Sequence, residues 1–305
     1  MLRSFELFSG AGGAAQGLKD AGYTSLGAID YHQPAVDIYN LNHETPATCQ
    51  DILDVHEIPS ELDLLWMSPS CKSFSVANVG GKESDLDIRI AKKLADLIGD
   101  ARPRNIAIEN VVQYRKSLSL EIILDKCRLL GYKIYESVET ASDYGAPTRR
   151  SRLIVRLTSN SQLPLIQRTK PNIDWYGTIE HIVGDLAYSE LTQVQKNVMM
   201  CQRSNLPLVI QRCGYHGEPN VYPSTKVFPT ITSHAHHDGK GRFRVAFNLA
   251  LPSGKVKVLD YKALGLIQGF PITYNWGYDR VAACMGIGNS VSPPLAKAVA
   301  ESFRC

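Results

Sequence analysis

The sequence has no long hydrophobic run and no paired-cysteine motif. In its 305 residues, no apolar stretch approaches the ~20 residues that a membrane-spanning helix needs. The seven cysteines are odd in number and never have the C-x-x-C spacing, which argues against a zinc site or a disulfide framework and favours free thiols. Glu6 and Gly10 interrupt any signal-peptide core near the N-terminus. We therefore expect a cytoplasmic protein without membrane association.

The charge is unevenly distributed. The net charge of the whole chain is only +3, but residues 201–260 carry eight Lys or Arg and three acidic residues, so this segment has a net charge of +5. A basic segment on a slightly acidic body indicates a polyanionic partner. The charge alone is equally compatible with a solvated basic loop region.

The first 160 residues alternate short apolar runs with helical patterns, which predicts a doubly wound α/β sheet. Predicted strands are Ser4–Phe8, Ser25–Ile29, Leu62–Met67, Asn105–Glu109, Tyr132–Glu139 and Arg152–Leu157. Predicted helices are Ala14–Ala21, Gln33–Asn42, Asp87–Ile98 and Leu120–Leu130.

The sequence pattern changes in the middle of the chain, where prolines and glycines are frequent and the predicted strands, such as Leu206–Arg212, are short. Regular structure returns near Tyr261 and ends in a helix that Ser292 can cap, with Pro293 at its first position. We expect an α/β domain over residues 1–160, a smaller irregular β-rich domain over 161–258, and a return to the first domain over 259–305.

A glycine-rich loop follows the first predicted strand. Residues Phe8 to Ala15 read FSGAGGAA and lead into a helix, so the backbone can approach a ligand at a helix N-terminus. Asp30 follows Gly10 by 20 residues, the spacing expected for a carboxylate that binds ribose hydroxyls. Asp51, after a further predicted strand, is a candidate acceptor for an adenine amino group. This pattern predicts a nucleoside-containing cofactor and leaves a dinucleotide open.

A cysteine and a glutamate follow two other predicted strands. Cys71 lies in the polar turn Ser68-Pro69-Ser70-Cys71, beside Lys72, and Glu109 ends the strand that begins at Asn105. Parallel strands would bring both to the carboxyl edge of the sheet, where ligands of such sheets bind. This arrangement predicts that Cys71 acts as a thiolate nucleophile and that Glu109 beside it acts as a proton donor. A lone cysteine is more often a small buried hydrophobe, and the polar turn is what favours the catalytic interpretation.

Two arginines precede a further apolar strand. Arg150 and Arg152 alternate, so an extended backbone would direct both to one side. Paired guanidinium groups can orient a phosphate, a carboxylate or the edge of a base. By themselves they favour a solvated charged turn.

Taken together, these motifs resemble the C5-cytosine DNA methyltransferases. The resemblance rests on five motifs in order, which are Phe8-x-Gly10-x-Gly12-Gly13, Pro69-Ser70-Cys71, Glu109-Asn110-Val111, Arg150-x-Arg152 and Gly288-Asn289-Ser290-Val291. It covers about residues 4–157 and 258–300. The resemblance implies a Rossmann-like S-adenosylmethionine-dependent methyltransferase sheet with a smaller, irregular β-rich target-recognition domain, as in the compact bacterial or phage enzymes.

The resemblance also implies roles for individual residues. Catalytic roles fall to Cys71, Glu109, Arg150 and Arg152. The cofactor S-adenosylmethionine, which leaves as S-adenosylhomocysteine, would contact Phe8, Gly10, Ala11, Gly12, Gly13, Asp30, Tyr31, Asp51, Ile52, Ser68, Asn289 and Ser290. Double-stranded DNA would contact Lys72, Ser75, Arg203, Arg212, Lys240, Arg242 and Arg244. The cytosine would be flipped out of the duplex.

Several positions depart from the family pattern. Ser70 stands where a second proline is usual, Lys72 where glutamine is usual, and Thr148 where glutamine is usual. None of these changes removes a group that the chemistry requires. The segment Lys72–Asp87, with Gly80 and Gly81 as candidate hinges, resembles the mobile catalytic loop of the family.

Other interpretations stay open on the sequence alone. A tRNA cytosine methyltransferase would use the same catalytic set, and a catalytically silent DNA-binding homologue would retain the fold. A dinucleotide-dependent oxidoreductase accounts only for the glycine loop. The cluster His234–Asp238 has no zinc-site spacing, so we expect no metal. We expect a monomer, associated with the nucleoid, with a cognate restriction endonuclease as a separate partner.

Overall fold

The fold was analysed in a computed structural model of the chain. The structure describes residues 1–70, 83–160, 162–169, 171–200, 204–212, 218–233 and 245–304. Its contacts divide the chain into two compact units. The first unit comprises Met1–Thr140, Ser151–Arg168 and Val291–Cys305, and the second comprises Ala141–Arg150 and Thr169–Ser290.

The chain contains both strands and helices throughout. The strands are β1 (Leu2–Leu7), β2 (Tyr23–Asp30), β3 (Ala47–Cys49), β4 (Leu64–Met67), β5 (Asn105–Asn110), β6 (Lys133–Thr140), β7 (Ser151–Thr158), β8 (Leu208–Gln211), β9 (Asn220–Pro223), β10 (Phe247–Ala250) and β11 (Val256–Val258). The helices are α1 (Gly13–Asp20), α2 (Gln33–Asn40), α3 (Asp85–Ala101), α4 (Leu118–Leu129), α5 (Trp175–Ile179), α6 (Gln193–Met200), α7 (Tyr261–Gln268), α8 (Arg280–Asn289) and α9 (Pro293–Glu301).

The first unit is built on a seven-stranded sheet in the order β3-β2-β1-β4-β5-β7-β6. The pairs from β3 to β5 are parallel, whereas β7 is antiparallel to both of its neighbours. Strands β4 and β5 are buried along their whole length, as expected for strands covered on both faces. The predicted α/β fold is therefore confirmed, and the reversed strand β7 is an addition to it.

Helices cover both faces of this sheet. On one face, α3 and α4 bury apolar residues such as Leu94, Ile98 and Ile123 against the core. On the other face, α1 packs against α9. Helix α9 buries Leu295 and Val299, and Phe303, which follows the end of the helix, is also buried. Ser292 occupies its N-cap position as predicted, but its side chain makes no capping hydrogen bond.

The second unit contains a four-stranded antiparallel sheet in the order β11-β10-β8-β9, together with α5 to α8. Its apolar interior includes the ring contacts of Phe228 with Trp175 and Phe247. This unit also contains residues 259–290, which the sequence analysis assigned to the first domain. The units are defined by contacts within the structure, whereas the predicted domains are defined by function. The predicted domain boundaries at 160 and 258 therefore stay predictions.

The predicted elements of the first unit are all present, and most ends shift by one to three residues. Helix α3 begins at Asp85, earlier than expected, because Ser84 and Asp87 form a capping box. Helix α6 was missed in the sequence: only Gln195 is buried in it, so its hydrophobic periodicity is weak. Among the described residues, no helix is long and apolar enough to cross a bilayer.

Candidate active site

The carboxyl edge of the parallel strands carries four of the predicted site residues side by side. Ile29, Leu7, Met67 and Ile108 are register partners across β2, β1, β4 and β5. The next residues along the chain are Asp30, Phe8, Ser68 and Glu109, respectively; Asp30 and Glu109 are still in their strands, and Phe8 and Ser68 follow directly after theirs. Because adjacent parallel strands are ~4.8 Å apart, this row sets the four residues at successive positions along one edge. The backbone register therefore aligns the ends of these four strands at one edge, and the meeting of Cys71 with Glu109 there stays a prediction, because Cys71 lies outside the described residues.

The glycine loop after β1 is held in a conformation that most residues avoid. Phe8, Gly10 and Gly12 all have positive φ values, of 61°, 54° and 85°. A Cβ atom added to Gly10 would meet no atom within 4 Å, so this glycine is needed for its backbone angle and borders open space. Helix α1 starts immediately afterwards, and its N-cap, Gly12, supplies no side chain to the free N–H groups.

Asp30 ties the glycine loop to the end of β2. One carboxylate oxygen accepts from Gly10 N–H at 2.8 Å, and the other accepts from His32 N–H at 2.9 Å. The side chain is largely buried, yet each oxygen keeps a lone pair for a further donor. Asp30 therefore shapes the loop and retains the acceptor capacity that the sequence analysis assigned to it.

Burial and hydrogen bonds distinguish the neighbouring cofactor candidates. Tyr31 is exposed beside Asp30. Asp51 is exposed and caps a short 3₁₀ helix, where one of its oxygens accepts from Leu53 N–H at 2.9 Å. Ile52 packs into the hydrophobic core of the sheet. The hydroxyl of Ser68 accepts from the Trp66 indole N–H at 3.0 Å, which fixes its orientation.

The turn that leads to Cys71 is attached to the end of β5. The side-chain amide of Asn110 donates to the Pro69 carbonyl at 3.0 Å. The amide oxygen of the same residue accepts from Val111 N–H at 2.8 Å. Asn110 belongs to the motif that identified Glu109 but was not among the predicted site residues. The signal that the sequence offered was its position, an amide directly after Glu109 at the end of an apolar strand.

Glu109 and Arg152 form an ion pair in the first unit. Glu109 Oε1 lies 3.0 Å from Arg152 Nε, and the two side chains are 7% and 14% exposed. The Nε–H of Arg152 is not aligned for a hydrogen bond, so among the described residues this oxygen has no hydrogen-bond partner. The reversal of β7 explains the contact: Leu153 pairs with Asn110, so the amino end of β7 lies beside the carboxyl end of β5.

Arg150 has different surroundings. Strand β7 begins at Ser151, so the predicted alternation of Arg150 and Arg152 along one strand does not include Arg150. Its guanidinium is buried in the second unit and donates to the carbonyls of Ile231 and Gly288. The Thr148 side chain is also fully buried there, and its hydroxyl donates to the Pro229 carbonyl at 3.4 Å.

Some of the remaining predicted residues lie in the described part of the chain, and others lie outside it. Asn289 is exposed and Ser290 is buried, with its hydroxyl donating to the Gly286 carbonyl at 2.7 Å. Arg212 is exposed at the end of β8. Lying outside the described residues are Cys71, Lys72, Ser75, Gly80, Gly81, Arg203, Lys240, Arg242, Arg244 and His234–Asp238. In the described part of the chain, no group of three or more metal-ligating side chains occurs.

Several known methyltransferases are similar to this chain. Type II methyltransferase M.AplI of Arthrospira platensis is 25% identical over 98% of this chain and 84% of its own length. Type II methyltransferase M.HindV of Haemophilus influenzae is 25% identical over 99% and 96%. The crystal structure of S. pombe Dnmt2 methyltransferase matches with a TM-score of 0.68 and 19% identity, covering 98% of this chain and 96% of that one.

A second structural neighbour is the Entamoeba histolytica methyltransferase EhMeth, with a TM-score of 0.70, 17% identity and coverage of 99% and 98%. At these identities the two structures support the fold. The family assignment comes from the family model described as C-5 cytosine-specific DNA methylase, which matches residues 2–305. With its parallel-strand edge, its glycine loop and this match along the whole chain, the protein belongs to the C-5 cytosine-specific DNA methyltransferases.

Proposed function

We propose that this chain transfers a methyl group from S-adenosylmethionine to C5 of a flipped cytosine in a specific duplex DNA sequence, through a covalent adduct on Cys71. The observation that carries the proposal is the row of Asp30, Phe8, Ser68 and Glu109 at one sheet edge. Cofactor candidates occupy one end of that row, and the acid occupies the other.

The residues around the glycine loop suit S-adenosylmethionine. The uncapped start of α1 offers N–H groups to the cofactor carboxylate, and Gly10 borders open space. Asp30 retains acceptor capacity for the ribose hydroxyls, and Asp51 has one carboxylate oxygen beyond its capping bond for the adenine amino group. The exposed side chains of Tyr31 and Asn289 complete the proposed contacts. When bound, the cofactor supplies an electrophilic methyl group.

The proposed chemistry begins with the Cys71 thiolate, which attacks C6 of the cytosine and forms a C–S bond. Glu109 delivers a proton to N3, so that the ring does not accumulate negative charge and C5 becomes nucleophilic. After C5 has gained the methyl group, a water molecule acting as the base takes the C5 proton, the C–S bond breaks and the Cys71 thiolate leaves. The N3 proton returns to the Glu109 carboxylate, which restores both groups. Arg152 holds the Glu109 carboxyl in place and faces the base.

The proposed substrate is duplex DNA, bound by the basic segment between residues 201 and 260. Lys72, Ser75, Arg203, Arg212, Lys240, Arg242 and Arg244 are the proposed DNA contacts. Because phosphate contacts release counterions, affinity should fall steeply as salt increases. The relatives M.AplI and M.HindV are type II methyltransferases by name, which supports a role in restriction and modification beside a separate endonuclease.

A trapping experiment tests this function. The protein is incubated with S-adenosylmethionine and duplex DNA that contains 5-fluorocytosine. Fluorine at C5 cannot leave as a proton, so the C–S bond persists, and we expect a denaturation-resistant adduct that maps to Cys71. Omission of the cofactor and the variant Cys71→Ser are the controls. An adduct with tRNA but not with genomic DNA would transfer the proposal to RNA, and no adduct with either would indicate a silent binding protein.

A further inference from the structure

Two segments that are far apart in the sequence run side by side in the second unit. Phe228 N–H donates to the Pro147 carbonyl at 2.9 Å, and Arg149 N–H donates to the Phe228 carbonyl at 2.8 Å. Thr148 and Phe228 form a parallel bridge. This short ladder fixes the backbone that precedes Arg150, so the guanidinium extends from a rigid base toward Ile231.

Arg150 joins this ladder to the end of α8. Its Nη1 lies 3.3 Å from the Ile231 carbonyl oxygen and 3.0 Å from the Gly288 carbonyl oxygen, and the residue is 3% exposed. Gly288 belongs to the last turn of α8, where carbonyl groups lack an intrahelical partner. A cation at a helix C-terminus is also favoured by the helix dipole. Arg150 thus binds the backbone immediately before Asn289.

The turn around Asn289 is held from other sides as well. A Cβ atom on Gly288 would lie 2.3 Å from Thr232 C and from Ser233 N, so these segments are in direct backbone contact. The Gln268 side chain donates to the Ser290 carbonyl at 3.1 Å. Gly288 and Ser290 are buried, whereas Asn289 between them is exposed. The structure therefore presents one polar side chain on an immobilised turn.

We propose that Arg150 is a positioning residue that sets the orientation of Asn289, and that it does not act on the base. This inference rests on the proposed role of Asn289 in cofactor binding. Since Arg150 holds the Gly288 carbonyl, loss of its guanidinium frees the peptide that precedes Asn289. The cofactor then binds to a turn with several conformations, and its affinity falls while the chemical step is retained.

The test compares cofactor affinity with turnover in four proteins: the wild type, Arg150→Met, Asn289→Ala and the double variant. The Kd for S-adenosylmethionine is measured by calorimetry without DNA, and kcat is measured at saturating cofactor. We expect Arg150→Met to raise Kd about tenfold, the scale of a lost charge-assisted hydrogen bond, with little change in kcat. In the Asn289→Ala background, the same change should have little further effect on Kd.

Arg152→Met provides the contrast, because it should lower kcat and leave the cofactor Kd nearly unchanged. A thermal melt accompanies each variant. If Arg150→Met does not fold, Arg150→Lys decides. Lysine keeps the charge, but its side chain is one atom shorter, so its nitrogen does not reach the position from which Nη1 donates to both carbonyls. This variant should still raise Kd. A loss of kcat without a change in Kd, or additive effects in the double variant, would overturn the inference. An unchanged Kd in Asn289→Ala would instead contradict the proposed role of Asn289.

Discussion

The amide of Asn110 donates to the carbonyl of Pro69 over 3.0 Å and so connects the end of β5 to the turn before Cys71. One side chain therefore links the strand that carries Glu109 to the turn that precedes the proposed nucleophile. The bond is buried, which makes it stronger than an exposed one and more costly to leave unmade.

Loss of the Asn110 amide should reduce turnover more than stability. In Asn110→Ala the Pro69 carbonyl loses its partner, so we expect a loss of about 1–3 kcal/mol in the free energy of unfolding. Because the turn before Cys71 is no longer fixed, kcat should fall at least about tenfold with a smaller change in DNA affinity. Methyl transfer kinetics and chemical denaturation measure the two effects.

Asn105→Ala is a matched control for this prediction. Asn105 lies at the opposite end of β5 and donates from its amide to the Asp63 carbonyl at 2.9 Å, a bond of the same kind. This variant should lose similar stability and retain kcat. Equal losses of kcat in both variants would show that Asn110 acts only through general stability.

Glu109→Gln should remove the proton donor without changing the shape of the site. The amide cannot protonate N3, so kcat should fall by roughly 10²- to 10⁴-fold, as is usual for loss of a general acid. Glu139→Gln is the control, because Glu139 is also buried in this sheet and paired with an arginine, Arg168 at 3.3 Å. Full activity in Glu109→Gln would exclude the proposed acid role.

The sequence predicted the sheet edge well and the arginine pair poorly, for different physical reasons. The alternation of strands and helices in the sequence predicts parallel strands with Asp30, Phe8, Ser68 and Glu109 at their carboxyl ends. Parallel neighbours align these ends at one edge of the sheet. Arg152 reaches Glu109 because β7 is reversed, and direction cannot be read from an apolar run. Arg150 binds Ile231 and Gly288, residues 81 and 138 positions away, and no local pattern encodes such contacts.

A buried acid in β1 should make stability depend on pH. Glu6 is 1% exposed, and burial raises the pKa of its carboxyl to about 8, an effect that its contacts with Tyr39 and the Ala15 backbone only partly oppose. The Glu6 carboxyl therefore keeps its proton in the folded state, whereas in the unfolded state it releases that proton above its ordinary pKa of 4.5. By linkage, stability must fall as pH rises between these two values and level off above about 8.

Glu6→Gln should abolish most of this dependence. Denaturation curves at pH 5 and pH 8 should show that the variant gains stability relative to the wild type on going to pH 8, by on the order of a few kcal/mol. The difference between the two proteins at pH 5 serves as the internal reference. A wild-type protein whose stability rises from pH 5 to pH 8 in parallel with the variant would contradict this account.

Gly17→Ala should weaken the contact between α1 and α9. A Cβ at this position would lie 2.5 Å from the Pro293 carbonyl oxygen and 2.6 Å from the Ala296 Cβ, so one helix must move. We expect a loss of about 1–3 kcal/mol in the free energy of unfolding, typical of overpacking. Gly184→Ala is the control, since its Cβ would meet nothing within 4 Å. A stable Gly17→Ala variant would mean that the helices separate at little cost.

The contact of α9 with α1 also has a consequence for synthesis of the chain. Beside the Gly17 contact, the Tyr23 hydroxyl donates to the Ala300 carbonyl at 3.2 Å, and Arg304 donates to the Ala21 carbonyl at 2.8 Å. One face of the helix that follows the glycine loop therefore stays uncovered until residues 293–301 have been synthesised. The helix at the proposed cofactor site thus gains its packing partner only after about 270 further residues have been added, and until then the nascent chain exposes the apolar surface that α9 later buries.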